Sequence, residues 1–402
     1  MMKWNVDTTI IHAGKGPDRE TGIIASPLIP AVAYAFPDVD TAAAVVAGER
    51  AGTYYGRYGN PTTQALEEKI AQLENGEAAL GVSSGMAAIS GSLLAFLKHG
   101  DHVLCTQDVY GGSHKFLTSL APRFGIEVDF VDCTDLKAVE NAIQKNTKVL
   151  YIETPSNPCL TVLDIRRLSE LAHSYKMKVI IDNTFMTPVL QRPLDLGADV
   201  VIHSATKYLN GHGDVIAGFI VGRKEDIHFM RKNIMGDLGQ PLNAWDSFLI
   251  LRGLKTLGLR IRQHCRSAEE VARFLSSHPA IDKVYYPGLP EHPQHSLAKA
   301  QMNGMGGIVS FEVKGGYETA KKFINSLQLA MISFSLGDPE TLVQHPASMT
   351  HFSIPPQERE RFKITDGLIR FSTGLEDTRD IINDLDQALA QVSRTGANLA
   401  TV

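Results

Sequence analysis

Between about residues 62 and 260, short apolar runs rich in β-branched residues alternate with stretches whose apolar positions recur at i, i+3 and i+4. That alternation is the pattern of a mostly parallel sheet covered by helices. The runs predict strands at 78–82, 102–106, 126–131, 148–153, 177–182, 198–203 and 216–222. Asn60-Pro61 gives a capped start to one intervening helix. Leu66, Ile70 and Leu73 form its stripe, and Glu67 and Glu68 lie toward its N-terminal end, where the helix dipole favours negative charge. A second helix is expected over 86–98, and a third starts at Asp164 with Ile165, Leu168 and Leu171 facing inward. After residue 260 the elements come in smaller groups, ending in a helix at 378–391 that carries Ile381, Ile382, Leu385 and Leu389. The first sixty residues are rich in Gly, Pro and Ala and hold no sustained period. The expected organisation is an extended N-terminal arm (1–61), a large α/β domain (62–260) and a smaller α+β C-terminal domain (261–402). The arm carries aromatics and an Arg without a core of its own, so it either docks on another subunit or is a flexible tail.

Composition narrows the class of protein. Hydrophobic content of 44% with 21% charged residues fits a globular chain, and no apolar run is long enough to cross a bilayer. The start, Met1-Met2-Lys3-Trp4-Asn5-Val6-Asp7, lacks the apolar stretch of a secretory signal, so a cytoplasmic location is expected. Lys and Arg are dispersed and the net charge is -5, which argues against a nucleic-acid partner. Cys105, Cys133, Cys159 and Cys265 are too widely spaced for zinc or C-x-x-C chemistry and read as reduced thiols. His203, His212, His345 and His351 show no H-E-x-x-H pairing, so no metal site is expected and these read as hydrogen-bonded or surface histidines.

In open α/β sheets ligands gather outside the carboxyl ends of the strands, so the residues following each strand carry the chemistry. Strand 78–82 is followed by Ser83-Ser84-Gly85-Met86, a small turn whose free N–H groups suit a phosphate, although such turns also serve simply as helix caps. Strand 102–106 leads to Tyr110-Gly111-Gly112-Ser113, an aromatic beside small residues. Glu153-Thr154-Pro155-Ser156-Asn157-Pro158 is either a plain turn or a rigid loop in which Asn157 donates to a ligand oxygen. Asp182-Asn183-Thr184 puts a carboxylate at the rim. The next strand delivers His203-Ser204-Ala205-Thr206-Lys207-Tyr208, ahead of Asn210-Gly211-His212-Gly213-Asp214. A rim Asp, a strand-end Lys, adjacent hydroxyls and a Gly-opened helix together meet the needs of pyridoxal phosphate: an amine for its aldehyde, a carboxylate for its ring nitrogen and donors for its phosphate. A nicotinamide dehydrogenase would share the sheet, but no G-x-G-x-x-G follows the first strand. A catalytically silent scaffold would have little reason to keep these groups together.

These segments, with Tyr55-Gly56-Arg57, Asn60-Pro61-Thr62, Ser335-Leu336-Gly337-Asp338 and His345-Pro346-Ala347-Ser348-Met349-Thr350-His351, resemble the Cys/Met-metabolism family of PLP-dependent enzymes over nearly the whole chain. The resemblance implies the type I, aspartate-aminotransferase-like fold of PLP-dependent transferases. It also implies that Lys207 holds pyridoxal 5'-phosphate through its amine, Asp182 pairs with the ring nitrogen and Tyr110 stacks on the ring and donates a proton. Gly85, Met86, Ser204 and Thr206 would grip the phosphate, while Tyr55 and Arg57 would reach it from the adjacent subunit. The active unit would therefore be a homodimer, with pairing into a homotetramer. Arg370 would clamp the substrate carboxylate, for which a bidentate guanidinium is suited, and Asn157 and Ser335 would make secondary contacts.

The implied reaction is α,γ-elimination on a small sulfur amino acid. In relatives that handle cystathionine, a Glu tends to precede the serine matched by Ser335; here Phe334 stands there. An apolar residue disfavours a distal ammonium and suits a thiomethyl group. Together with Gln344-His345-Pro346, this resembles the methionine γ-lyase branch, acting on methionine or homocysteine. Gly112 departs from that branch, which usually has Cys there, and keeps open the alternatives of cystathionine γ-lyase, cystathionine γ-synthase and O-acetylhomoserine sulfhydrylase.

Overall fold

A computed structural model describes residues 4–14, 22–352 and 354–399. Seven strands build the larger sheet: β1 (Ala78–Val82), β2 (His102–Thr106), β3 (Glu127–Val131), β4 (Thr147–Glu153), β5 (Lys178–Asp182), β6 (Val200–Ser204) and β7 (Gly218–Gly222). Their order is β1-β7-β6-β5-β4-β2-β3. β2 through β6 pair in parallel, and β7 runs antiparallel to β1 and β6. The central strands are continuous apolar runs because both faces of the sheet are covered; Val149, Tyr151, Ile180 and Val200 are fully buried.

Helices connect these strands and cover the sheet. In chain order they begin with α1 (Val6–His12), α2 (Val39–Ala47), α3 (Pro61–Leu73), α4 (Gly85–Phe96) and α5 (Gly111–Lys115). Leu136–Ala142 (α6) and Ile165–Ser174 (α7) follow. Asn60 caps α3 by accepting from Thr62 N–H, with Pro61 in the first turn, and Leu66, Ile70 and Leu73 are fully buried. Asp164 caps α7 and directs Ile165 and Leu168 into the core, with Leu171 partly buried beside it.

Two expectations need correction. The first sixty residues are not wholly extended, since they contain α1 and α2. Helices of seven and nine residues are too short to show a period, and their ends stabilise them instead. Asp38 accepts from Thr41 N–H at one end of α2, and Gly48 takes φ 83° at the other. The buried Lys69 amine donates to the Ile10 and Ile11 carbonyls near the end of α1 at 2.6 and 3.1 Å. Glu67, expected to serve the helix dipole, is instead held by specific partners. It is buried, accepts from Gly81 N–H at 2.8 Å and pairs with Arg231 at 2.7 Å, tying α3 to β1.

A second, five-stranded sheet has the order β10-β11-β12-β9-β8, formed by β8 (Ile281–Tyr285), β9 (Ile308–Val313), β10 (Met331–Ile332), β11 (Leu342–Gln344) and β12 (Leu368–Ser372). The expected C-terminal helix runs over Thr378–Leu399, and Ile381, Leu385 and Leu389 pack into this second core. The helix Leu257–Ser277 serves both cores, with Leu257 and Ile261 in the first and Val271 and Leu275 in the second. Among the described residues no helix is long and apolar enough to cross a membrane. Cys105, Cys133, Cys159 and Cys265 are unpaired thiols.

Candidate active site

β3 continues outward from one edge of β2 while β4 returns to its other edge, and at such a reversal the following loops part to leave a crevice. A cavity of about 260 Å³ lies there, lined by residues that follow β1, β2, β4, β5 and β6 together with Phe334, Leu336 and Arg370. Eleven of the thirteen residues expected in the site on sequence grounds are lining or bonded to lining groups, and Tyr55 and Arg57 are not. Arg57 donates to the Gly236 carbonyl and lies over the Tyr58 ring at 4.6 Å, while Tyr55 is largely exposed. Within one chain the two stand apart from the cavity.

Lys207 leaves a tight turn immediately after β6, its N–H bonded to Ser204 O. Its Nζ donates to Ser335 Oγ at 3.3 Å. Burial and the nearby Arg370 charge lower its pKa, with Asp338 opposing, which favours the free amine needed to attack an aldehyde. Asp182 ends β5 and is buried, accepting from Thr184 N–H at 2.9 Å. Burial raises its pKa, while the Thr184 donors and His203 lower it.

The turn before α4 is built for close approach. Ser84 caps the helix by accepting from Ala87 N–H, which leaves the earliest N–H groups of a twelve-residue helix directed at the cavity. A Cβ on Gly85 would stand 2.7 Å from Ser204 Cβ, so only glycine lets Ser204 sit against this turn. Thr206 places its hydroxyl between the N–H and C=O of Ala217, so its proton must turn from Ala217 O to reach a phosphate.

Tyr110 stands before α5, and burial is the main cause of its raised pKa, keeping the hydroxyl protonated. Its ring packs over Gly112, where a Cβ would come within 2.4 Å of Tyr110 Cε1. The buried Arg370, on β12, donates to Asn157 Oδ1 at 3.2 Å and to the Ser335 carbonyl at 2.9 Å. Gln344, with its amide oxygen turned inward, accepts from Nη1 and Nε at 3.0 and 3.1 Å. All three are neutral acceptors, so the guanidinium retains its charge for a carboxylate. Phe334 lines the cavity with 64% of its surface exposed.

Sequence reasoning missed several supports. Thr184 accepts from Ser204 N–H at 2.8 Å and so couples β5 to β6 beside Asp182. Arg260 donates to the carbonyls of Tyr208, Asn210 and Gly253, and its guanidinium occupies the space a side chain at Gly211 would need. Glu153 lines the cavity and accepts from Tyr110 N–H at 2.9 Å. The only available signal was position at a strand end, which Glu153 and Thr184 had and Arg260 lacked. The four singled-out histidines are hydrogen-bonded: His203 to Glu74, His212 to Asn210 O, His345 to Ser348 and His351 to Thr350. Among the described residues no three His, Cys, Asp or Glu side chains converge on a point suited to a metal ion.

The arrangement fits pyridoxal phosphate. Asp182 is a buried carboxyl that accepts from Thr184, and a protonated ring nitrogen would give it the opposite charge that a buried carboxylate needs. The α4 turn and the Ser204 hydroxyl form a small anion cradle, and the Lys207 amine opens on the same cavity.

Comparison with known proteins agrees with this chemistry. The profile of the Cys/Met metabolism PLP-dependent enzymes matches residues 7–390. The chain is 49% identical over 392 residues to an L-methionine gamma-lyase of Fusobacterium nucleatum subsp. polymorphum, covering 97% of this chain and 99% of that one. It is 44% identical over 389 residues to a cystathionine gamma-lyase of Bacillus subtilis, covering 96% and 99%. The crystal structure of cystathionine gamma-lyase from Lactobacillus plantarum complexed with L-serine superposes with a TM-score of 0.91 at 39% identity, over 97% of this chain and all of that one.

Proposed function

Because the chain belongs to the Cys/Met metabolism family of PLP-dependent enzymes, we propose that it cleaves L-methionine or L-homocysteine by α,γ-elimination, with water consumed and 2-oxobutyrate, ammonia and the sulfur leaving group released, a thiol from methionine and hydrogen sulfide from homocysteine. It is a PLP-dependent carbon–sulfur lyase acting on small amino acids. When bound, pyridoxal phosphate withdraws electrons from the substrate Cα.

The residues of the chain do the rest. Arg370 binds and orients the substrate carboxylate, with Asn157 and Ser335 holding the guanidinium in place. Lys207 holds the cofactor, then uses its free amine to take the Cα proton and to move protons at Cβ. Asp182 keeps the ring nitrogen protonated. Tyr110, whose hydroxyl stays protonated because it is buried, gives its proton to the departing sulfur. Gly85, Met86, Ser204 and Thr206 grip the phosphate. Tyr55 and Arg57 reach the phosphate in the partner subunit of a dimer, and dimers pair into a tetramer; their distance from the cavity of their own chain supports that division. We place the enzyme in the cytoplasm, a reducing setting that suits its four unpaired thiols.

Phe334 carries the choice of substrate. An apolar side chain at this wall of the cavity offers no counter-charge to a distal ammonium and accommodates a thiomethyl group. Gly112, where the methionine γ-lyase branch usually has Cys, favours a second reading as a cystathionine γ-lyase or γ-synthase, or an O-acetylhomoserine sulfhydrylase; a Cβ there would press on the Tyr110 ring. The test offers methionine, homocysteine, cystathionine and O-acetylhomoserine with sulfide in separate assays, measuring 2-oxobutyrate and the sulfur product. Faster cleavage of cystathionine than of methionine or homocysteine would favour the second reading.

A further inference from the structure

Glu153 is the last residue of β4 and stands in register with Asp182 on β5. Neighbouring residues of a parallel pair direct their side chains to the same face, and both carboxyls line the cavity. Glu153 is 5% exposed. Its Oε2 accepts from Tyr110 N–H at 2.9 Å, and the Asn157 backbone supplies a further donor. The titratable groups facing it are Asp182, Asp108, Tyr110, Tyr151, Cys105 and Arg370. Arg370 is the one cation among them, and it is engaged by the neutral oxygens of Asn157, Ser335 and Gln344.

Two carboxylates this close in a buried site do not both ionise. Asp182 is the better solvated of the pair, with both donors of Thr184 and His203 beside it, whereas Glu153 is met by backbone amides alone. We propose that Glu153 carries a proton through neutral pH and is a positioning residue: its neutral carboxyl holds the Tyr110 backbone in place and leaves Asp182 as the single negative charge behind the cofactor. Burial first, and Asp182 second, push the Glu153 carboxyl well above the usual carboxylate range. The Tyr110 and Asp182 part of this inference rests on the site roles given under Proposed function; the protonation of Glu153 does not.

The infrared spectrum of the cofactor-free protein tests that protonation directly. At neutral pH the wild-type minus Glu153→Gln difference should contain the carbonyl stretch of a protonated carboxylic acid, and an ionised-carboxylate band in its place overturns the proposal. In the loaded enzyme, Glu153→Leu is expected to lower kcat about a hundredfold with little change in KM, as for a displaced catalytic group. Glu153→Gln, which keeps an oxygen for Tyr110 N–H, should recover most of that loss and retain the wild-type pH dependence of the bound cofactor's visible absorption. Failure of Gln to rescue, or a shifted pH dependence, shows that the charge itself is required and sinks the idea. Separately, Asp182→Asn reports on the site reading: an unchanged visible spectrum in that variant would defeat the role of Asp182 while the Glu153 infrared band still stands.

Discussion

Lys207 Nζ lies 3.3 Å from Ser335 Oγ, and through this contact the end of the parallel sheet meets the loop between β10 and β11 of the second sheet. The amine is therefore set by both sheets at once. Its charge neighbours both come from the second sheet, where Arg370 on β12 lowers its pKa and Asp338 in the loop between β10 and β11 raises it. Asp338→Asn removes the opposing charge, so the amine should lose its proton at lower pH. The pH dependence of attachment of added pyridoxal phosphate, followed by visible absorption, is expected to move in the acid direction. An alkaline shift would contradict this assignment.

Asp182→Asn keeps the size and the Thr184 contact but removes the charge that a protonated ring nitrogen needs. Turnover should fall by roughly 10²-fold or more, the order expected for a lost proton-transfer function. Cofactor content, measured after denaturation, should stay near that of the wild type. Lys207→Ala should instead lose the visible absorption of the attached cofactor while thermal unfolding of the protein remains cooperative.

Phe334→Glu places a carboxylate at the cavity wall. The ratio of kcat/KM for cystathionine over methionine should rise about tenfold or more, since a distal ammonium gains a partner while a thiomethyl group loses an apolar contact. Steady-state kinetics on both substrates checks this, and an unchanged ratio would remove Phe334 from the specificity argument.

Asp108 gives a stability prediction with a definite sign. Its buried carboxyl accepts from Ser156 and Thr161, and burial pushes its pKa up to about 6 against an ordinary 3.8. Between those values the folded state holds a proton that the unfolded state has released, so stability falls as pH rises through the window and is level above it. The difference corresponds to about 3 kcal/mol. Asp108→Asn should lack this fall, so its stability relative to the wild type should improve between pH 4 and 7, read from denaturant unfolding at the two ends. A relative loss over that window would show that the folded state prefers the charged carboxyl.

His264 works in the opposite direction. Its Nδ1 donates to Thr373 O at 2.6 Å and its Nε2 is buried without a partner. Burial lowers its pKa from 6.5 to about 4. As pH falls through that window the unfolded state takes up a proton that the folded state refuses, and stability is lost. His264→Gln should flatten this part of the acid limb in thermal melts, and an unchanged limb would assign the acid sensitivity elsewhere.

Most of the strands and much of the site were legible in the chain because each depends on local order. A buried parallel strand reads as an apolar run, and a ligand in such a sheet meets whatever follows the run, which is how Ser84, Gly85, Tyr110, Asp182, Ser204 and Lys207 stood out. The short helices α1 and α2 were missed because their support is nonlocal for α1 (the Lys69 amine) and confined to the caps for α2 (Asp38 and Gly48). Glu67 was read only through the helix dipole, because its partners Arg231 and the Gly81 amide lie on other segments.

By itself the sequence determined which chemical groups sit at the strand ends, since strand periodicity and turn chemistry act over a few residues. Only the tertiary structure decided what surrounds them: that Glu153 lies in register with Asp182, that Arg260 sews the loop after Lys207 to the helices, and that the neutral oxygens of Asn157, Ser335 and Gln344 hold Arg370. Those relationships join segments far apart in the chain, and the burial that perturbs each charge exists only once both sheets have packed.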